Sequence, residues 1–228
     1  MTEAGAAPGA GSHGWNRLST ADSYGVVLVL VMLTYTASVS VTQAWAGSIV
    51  LTIQVATVWF TLRTSRARPA VRRVADLLLC LAAAAAVVSF FAHQQGTERG
   101  GVFVVCSLLY LIAPFSIVRH LMLRRDVDIE TLLGAITAYL LIGMFFAFAY
   151  KAVGELGSVP FYGTAGPGSL SQDLFFSFVT MTTVGYGDLV PAANPGQTLA
   201  VLEAVIGQLF LVVAVGKIIS SFRPRREG

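Results

Sequence analysis

Thr182-Thr183-Val184-Gly185-Tyr186-Gly187-Asp188 is a polar, glycine-bearing stretch between the largely apolar run Leu174 to Val179 and a second, longer apolar segment. Hydrocarbon offers a carbonyl no hydrogen-bond donor, so backbone of this kind at membrane depth must be buried in protein or line a wet cavity. The chemistry on offer is ligation by backbone oxygen. Glycines at alternate positions, 185 and 187, reach positive φ angles that other residues resist, so successive carbonyls can be turned to one side. One such row cannot replace an ion's hydration shell. Four copies around an axis place a ring of oxygens at each level, so the stretch calls for four subunits.

The stretch resembles the signature of the potassium-channel pore family, complete from Thr183 to Gly187 and continued by Asp188, and the likeness extends over about residues 130 to 221. Replacement of a potassium ion's water by carbonyl oxygens of Thr-Val-Gly-Tyr-Gly is that family's known mechanism. The resemblance implies that the carbonyls of Thr183, Val184, Gly185 and Tyr186, with the Thr183 hydroxyl, coordinate potassium. Gly187 completes this filter, Tyr186 braces it from behind, and Thr182 and Asp188 flank it as support. It also implies a hinge at Gly207, where glycine weakens a helix by about 1 kcal/mol relative to alanine. The same glycine could instead serve only close packing. Gln208, Leu211 and Val215 fall on one helical face that would line a cavity, with Ile219 near its inner mouth. The chain departs from the best-known bacterial pores, where an acid in the pore helix holds the aspartate after the filter. Here Val179 takes that place and Phe175 replaces an aromatic donor, which leaves Asp188 less tied down.

Glu203 is an acid within the last apolar helix, one turn before Gly207. Intramembrane carboxylates are costly and point to function. The expectation is a side chain behind the filter, bonded to a pore-helix hydroxyl such as Thr180 or Thr182 and able to hold a proton there. The alternative is a packing bond with no part in gating.

The elements that must position these residues follow from composition. Of 228 residues, 55% are apolar and only 12% charged, with a mean hydropathy of +0.73, against about a quarter charged in soluble domains. This is an all-α integral membrane protein. A net charge of +3 does not indicate nucleic acid, because the basic residues sit between apolar segments and report topology. Cys80 and Cys106 lie in apolar runs and read as small core residues.

Residues 1–20 read as a disordered cytoplasmic tail. Tyr24 to Leu62 would be about 58 Å long as one helix, twice the hydrocarbon thickness, so it divides into two spans with a turn at Thr42 to Ser48. Arg63, Arg66, Arg68, Arg72 and Arg73 mark the cytoplasmic side. A third span is expected over about Val74–Ala92, and after an outer loop from His93 to Gly101 a fourth over Val102–Val118, interrupted by Pro114. A charged surface helix follows over Arg119–Glu130. The fifth span is placed at Thr131–Tyr150, and an outer loop over Gly154–Gly168 follows it. A capping box, Ser169 with Gln172 and with Asp173 in the first turn, predicts a re-entrant helix over Leu170–Met181. The sixth span is placed at Thr198–Ser220, and residues 222–228 form a basic cytoplasmic stub.

The expected whole is six transmembrane helices with the re-entrant pore helix and filter between the fifth and sixth, assembled as a homotetramer in the cell membrane with both termini cytoplasmic. Residues 21–125 form a four-helix transmembrane domain and residues 126–221 the pore domain. The fourth span lacks the spaced arginines of a voltage sensor, whose gating charges contribute about 2.3 kcal/mol each per 100 mV. Arg63–Arg73 and Arg119–Arg125 mark topology and could also bind anionic lipid headgroups. His13, His93 and His120 are scattered, so nothing converges to form an enzyme site. No cofactor is expected beyond the permeant K+. A less selective cation channel and the pore subunit of a potassium uptake system are the alternative readings.

Overall fold

The computed structural model describes residues 15–40, 97–123 and 129–221. The expected second and third spans, the Arg63–Arg73 cluster, Arg124, Arg125, Cys80 and residues 222–228 lie outside the described residues. Every regular element among the described residues is helical: α1 (Trp15–Ser40), α2 (Thr97–Leu123), α3 (Ile129–Leu156), α4 (Leu170–Met181) and α5 (Gly196–Ser221), with one 3₁₀ turn at Gly163–Ala165.

Two of these helices are long and apolar enough to cross a membrane. They are α3, with 28 residues, and α5, with 26. At 1.5 Å per residue they are about 42 and 39 Å long, against about 30 Å of hydrocarbon. The 12 residues of α4 reach only about 18 Å, so α4 can enter a bilayer but cannot cross it.

All four other helices pack against α3. Its neighbour α2 runs antiparallel to it, and small residues set both ends of the contact. A Cβ on Gly100 would meet the Leu156 side chain at 2.6 Å, and one on Gly134 would meet Leu121 at 3.2 Å. Between these ends the Tyr110 and Phe148 rings stack with centroids 5.3 Å apart and planes 4° apart. Tyr24, Val27 and Val31 of α1, Cys106, Ala113 and Ile117 of α2, and Leu141, Met144 and Phe148 of α3 form the core with Leu174 of α4. A second, aromatic cluster of Phe146, Tyr150, Phe161, Tyr162 and Phe176 fills the space between α3, the loop that follows it and α4.

Several sequence expectations are corrected. Helix α1 starts at Trp15, inside the segment read as tail, because helix propagation from the apolar run beyond Tyr24 costs far less than nucleation. Helix α2 starts at Thr97 and continues unbroken through Pro114. Neighbouring helices in a bundle let a span absorb a proline's missing N–H. Residues Arg119 to Leu123 extend α2 rather than opening a separate surface helix. Helix α3 runs to Leu156, beyond Tyr150, and its added turn is tied down by Lys151, which pairs with Glu155 at 2.8 Å and donates to the Gly168 carbonyl at 2.9 Å.

Candidate ion-conducting site

The site begins with a helix start that the sequence specifies locally. Ser169 holds an extended conformation (φ −94°, ψ 161°). Its hydroxyl accepts from the Gln172 N–H at 3.2 Å, while the Gln172 side chain accepts from the Ser169 N–H at 2.8 Å. Two otherwise orphaned donors are thereby satisfied. Asp173 follows in the first turn, buried, outside both spanning helices. The Tyr162 hydroxyl donates to its Oδ1 at 2.8 Å, while Oδ2 has no hydrogen-bond partner among the described residues. Burial pushes the Asp173 carboxyl up to about 7, against the opposing pull of the Tyr162 bond and the Lys151 charge. Burial likewise pushes the Tyr162 hydroxyl up, reinforced by the Asp173 charge and bond.

At the other end of α4 the chain leaves the helix in steps. Thr182 N–H donates to Phe178 O and Thr183 N–H to Thr180 O, both at 3.0 Å. Val184 N–H and Gly185 N–H both donate to Val179 O, at 3.0 and 3.3 Å. This carbonyl anchors the base of the Thr183–Gly187 stretch. Above it, positive φ angles alternate: Thr183 at 62°, Gly185 at 55° and Gly187 at 82°. Alternation of hand is the condition for turning successive carbonyls to one side. Among the described residues no backbone N–H donates to the carbonyls of Thr183, Val184, Gly185 or Tyr186. The whole stretch Thr182–Asp188 is exposed in a single subunit.

Thr183 is the member of this alternation that residue type concealed. A β-branched residue with positive φ is a conformational outlier, and only the glycines advertise the pattern. Tyr186 is 70% exposed, and its ring stacks on Phe175 with centroids 6.0 Å apart and planes 3° apart. Phe175 therefore supports Tyr186 by ring contact where an aromatic donor would use a hydrogen bond. The Asp188 side chain is exposed.

Glu203 lies fully buried on the inward edge of α5. It meets a hydroxyl of α4, and the residue is neither Thr180 nor Thr182. Thr182 turns its hydroxyl back to Phe178 O at 2.6 Å, closing its own helix. The pore-helix hydroxyl that meets Glu203 is Ser177, at Oε1, and Tyr150 of α3 meets Oε2 at 2.5 Å. Ser177 also lies 2.7 Å from the Gly143 carbonyl of α3. The only sequence signal for Ser177 was a hydroxyl interrupting an apolar run. Gly207, one turn on, faces α4: a Cβ there would lie 2.6 Å from Met181 Cγ and 3.1 Å from Met181 O. Helix α5 passes through it without a break. Gln208, Leu211, Val215 and Ile219 are all exposed on the far side, together with most of α5.

A capped half-helix that enters between two membrane-length helices and returns through a strip of carbonyls without donors defines a pore-loop segment. Residues 134–223 match a protein-family model described as an ion channel. Among similar proteins, the inward rectifier potassium channel Kirbac3.1 of Paramagnetospirillum magnetotacticum is 42% identical over 84 residues, 37% of this chain and 27% of that protein. The potassium voltage-gated channel protein shk-1 of Caenorhabditis elegans is 44% identical over 55 residues, 24% of this chain and 10% of that one. The human voltage-gated potassium channel regulatory subunit KCNG1 is 32% identical over 81 residues, 36% and 15% of the two chains. The chain thus spans about a quarter or less of the length of these relatives. Residues 134–223 therefore resemble the pore region of these potassium channels, and the two membrane-length helices lie within or overlap that stretch.

Proposed function

We propose that this chain is a subunit of a potassium channel that passes K+ down its gradient through a pore on the axis of four copies. The observation that carries the reading is the alternation of positive φ at Thr183, Gly185 and Gly187, with four carbonyls that no backbone N–H among the described residues occupies. Four such rows supply the oxygens that replace the ion's water, with the Thr183 hydroxyl at the inner end. Pore-helix carbonyl ends give the cation a favourable dipole. Gln208, Leu211, Val215 and Ile219 line the inner cavity, and bending at Gly207 opens it. The six-span topology with both termini cytoplasmic, and anionic lipid at the basic clusters, belong to the same reading.

The test is a planar-bilayer recording of the purified protein against Gly185→Ala. Alanine at φ 55° costs about 1–2 kcal/mol in a left-handed conformation, so the variant loses selectivity while wild-type reversal potentials in mixed K+ and Na+ follow K+. Equal passage of the two ions by wild type overturns the reading in favour of a less selective cation channel. Flux against a gradient overturns it in favour of an uptake system, and a stable monomer or dimer with no conduit overturns the shared pore.

A further inference from the structure

Three oxygen pairs meet in line behind the filter, and counting the protons between them fixes the state of Glu203. Tyr150 Oη approaches Glu203 Oε2 at 2.5 Å, Glu203 Oε1 approaches Ser177 Oγ, and Ser177 Oγ approaches Gly143 O at 2.7 Å. Each contact needs one proton to be a bond and not a repulsion between lone pairs. Tyrosine and serine hydroxyls have one proton each, and a backbone carbonyl has none. Gly143 O can only accept, so the serine proton is committed to it. The tyrosine proton serves Oε2. The remaining contact, between Glu203 Oε1 and Ser177 Oγ, has no proton unless the carboxyl carries it.

We infer that Glu203 is held as an uncharged carboxylic acid that donates from Oε1 to Ser177, a positioning residue for the filter. The bonds then run in one direction, from Tyr150 to Glu203 to Ser177 to the Gly143 carbonyl, with every member satisfied. Placing the proton on Oε2 fails, because the single Ser177 proton would then have to serve two acceptors. The surroundings agree. Glu203, Tyr150 and Ser177 are each 0% exposed, and among the described residues no cation pairs with Glu203. A buried charge left unpaired is far costlier than a neutral acid with both oxygens bonded.

The geometry gives this acid its task. It sits on α5 and is bonded to α4 at Ser177, which is bonded to α3 at Gly143, while Tyr150 returns the chain to α3 two turns further on. Ser177 lies two residues before Val179, whose carbonyl holds the Val184 and Gly185 N–H groups. The three helices are therefore locked at the level that sets the filter floor, with no fixed negative charge behind the ion path. This rests on the channel reading above for its consequence, although the protonation state does not.

The test uses the full-length protein reconstituted in lipid. Infrared difference spectra at neutral pH, where exposed carboxylates are ionised, should show the C=O stretch of a protonated carboxylic acid that disappears in Glu203→Gln. A glutamine can donate from its nitrogen to Ser177 and accept from Tyr150, so Glu203→Gln should keep K+ over Na+ selectivity. Glu203→Ala and Ser177→Ala, which leave buried polar groups without partners, should lower the permeability ratio about tenfold. Absence of the band in wild type, or Glu203→Gln as impaired as Glu203→Ala, overturns the inference. Should wild type carry no K+ current, the channel reading falls while the infrared result still decides the state of Glu203.

Discussion

Gly207→Ala separates a packing glycine from a mere point of flexibility. The added methyl would stand 2.6 Å from Met181 Cγ and 3.1 Å from Met181 O, closer than real methyl contacts come in the first case. Met181 Cγ lies next to its own backbone and Met181 is completely buried, so neither atom can retreat without moving the last turn of α4. Overpacking of this kind costs about 1–3 kcal/mol, and alanine returns about 1 kcal/mol of helix propensity. An approach of 2.6 Å puts the cost in the upper part of that range, about 2–3 kcal/mol, so the net loss is about 1–2 kcal/mol, a fall in melting temperature of roughly 2–8 °C for a chain of this size. Because Met181 immediately precedes the Thr182–Asp188 stretch that the proposed channel uses as its filter, selectivity should weaken together with stability. Thermal scans of the detergent-solubilised protein, paired with reversal potentials, measure both. A variant as heat-stable as wild type, altered only in opening rate, would refute the close approach and leave bending as the sole role of this glycine.

Asp173 gives a pH signature. Its carboxyl rises from 3.8 to about 7 in the folded chain, so between those values the folded state holds a proton that the unfolded state releases. Its stabilising contribution is full below about pH 3.8 and declines as pH rises towards 7. Thermal scans across pH should show this decline, and Asp173→Asn should flatten it. Tyr162→Phe removes the donor to Oδ1 where Oδ2 already lacks a hydrogen-bond partner among the described residues. It should cost about 1–3 kcal/mol of stability and move the Asp173 titration still higher, read by the same scans. Ser169→Ala removes a cap from a 12-residue helix and should cost about 1 kcal/mol, measured as a lower melting temperature with selectivity retained once folded.

What the sequence determined by itself is local. The capping box at Ser169 and Gln172, the Leu170–Met181 helix and the glycine alternation at 185 and 187 depend on bonds and torsions within a few residues, and residue type reports them directly. The membrane class depends on composition alone. Tertiary structure decided what acts across long separations. Glu203 lies 26 residues from Ser177 and 53 from Tyr150, and nothing in the spacing of an apolar helix says which hydroxyl will face it. Thr180 and Thr182 were nearer the filter in sequence, but the roll of α4 against α5 turns Ser177 inward and leaves Thr182 to its own helix end. Pro114 looked like an interruption because a proline's cost is written in its ring, whereas its tolerance depends on neighbouring helices. Gly207 reads equally well as hinge or contact until Met181 is seen against it. Thr183 takes its left-handed turn against the preference of its side chain, because the ladder onto Val179 O and the glycines above it constrain the backbone together.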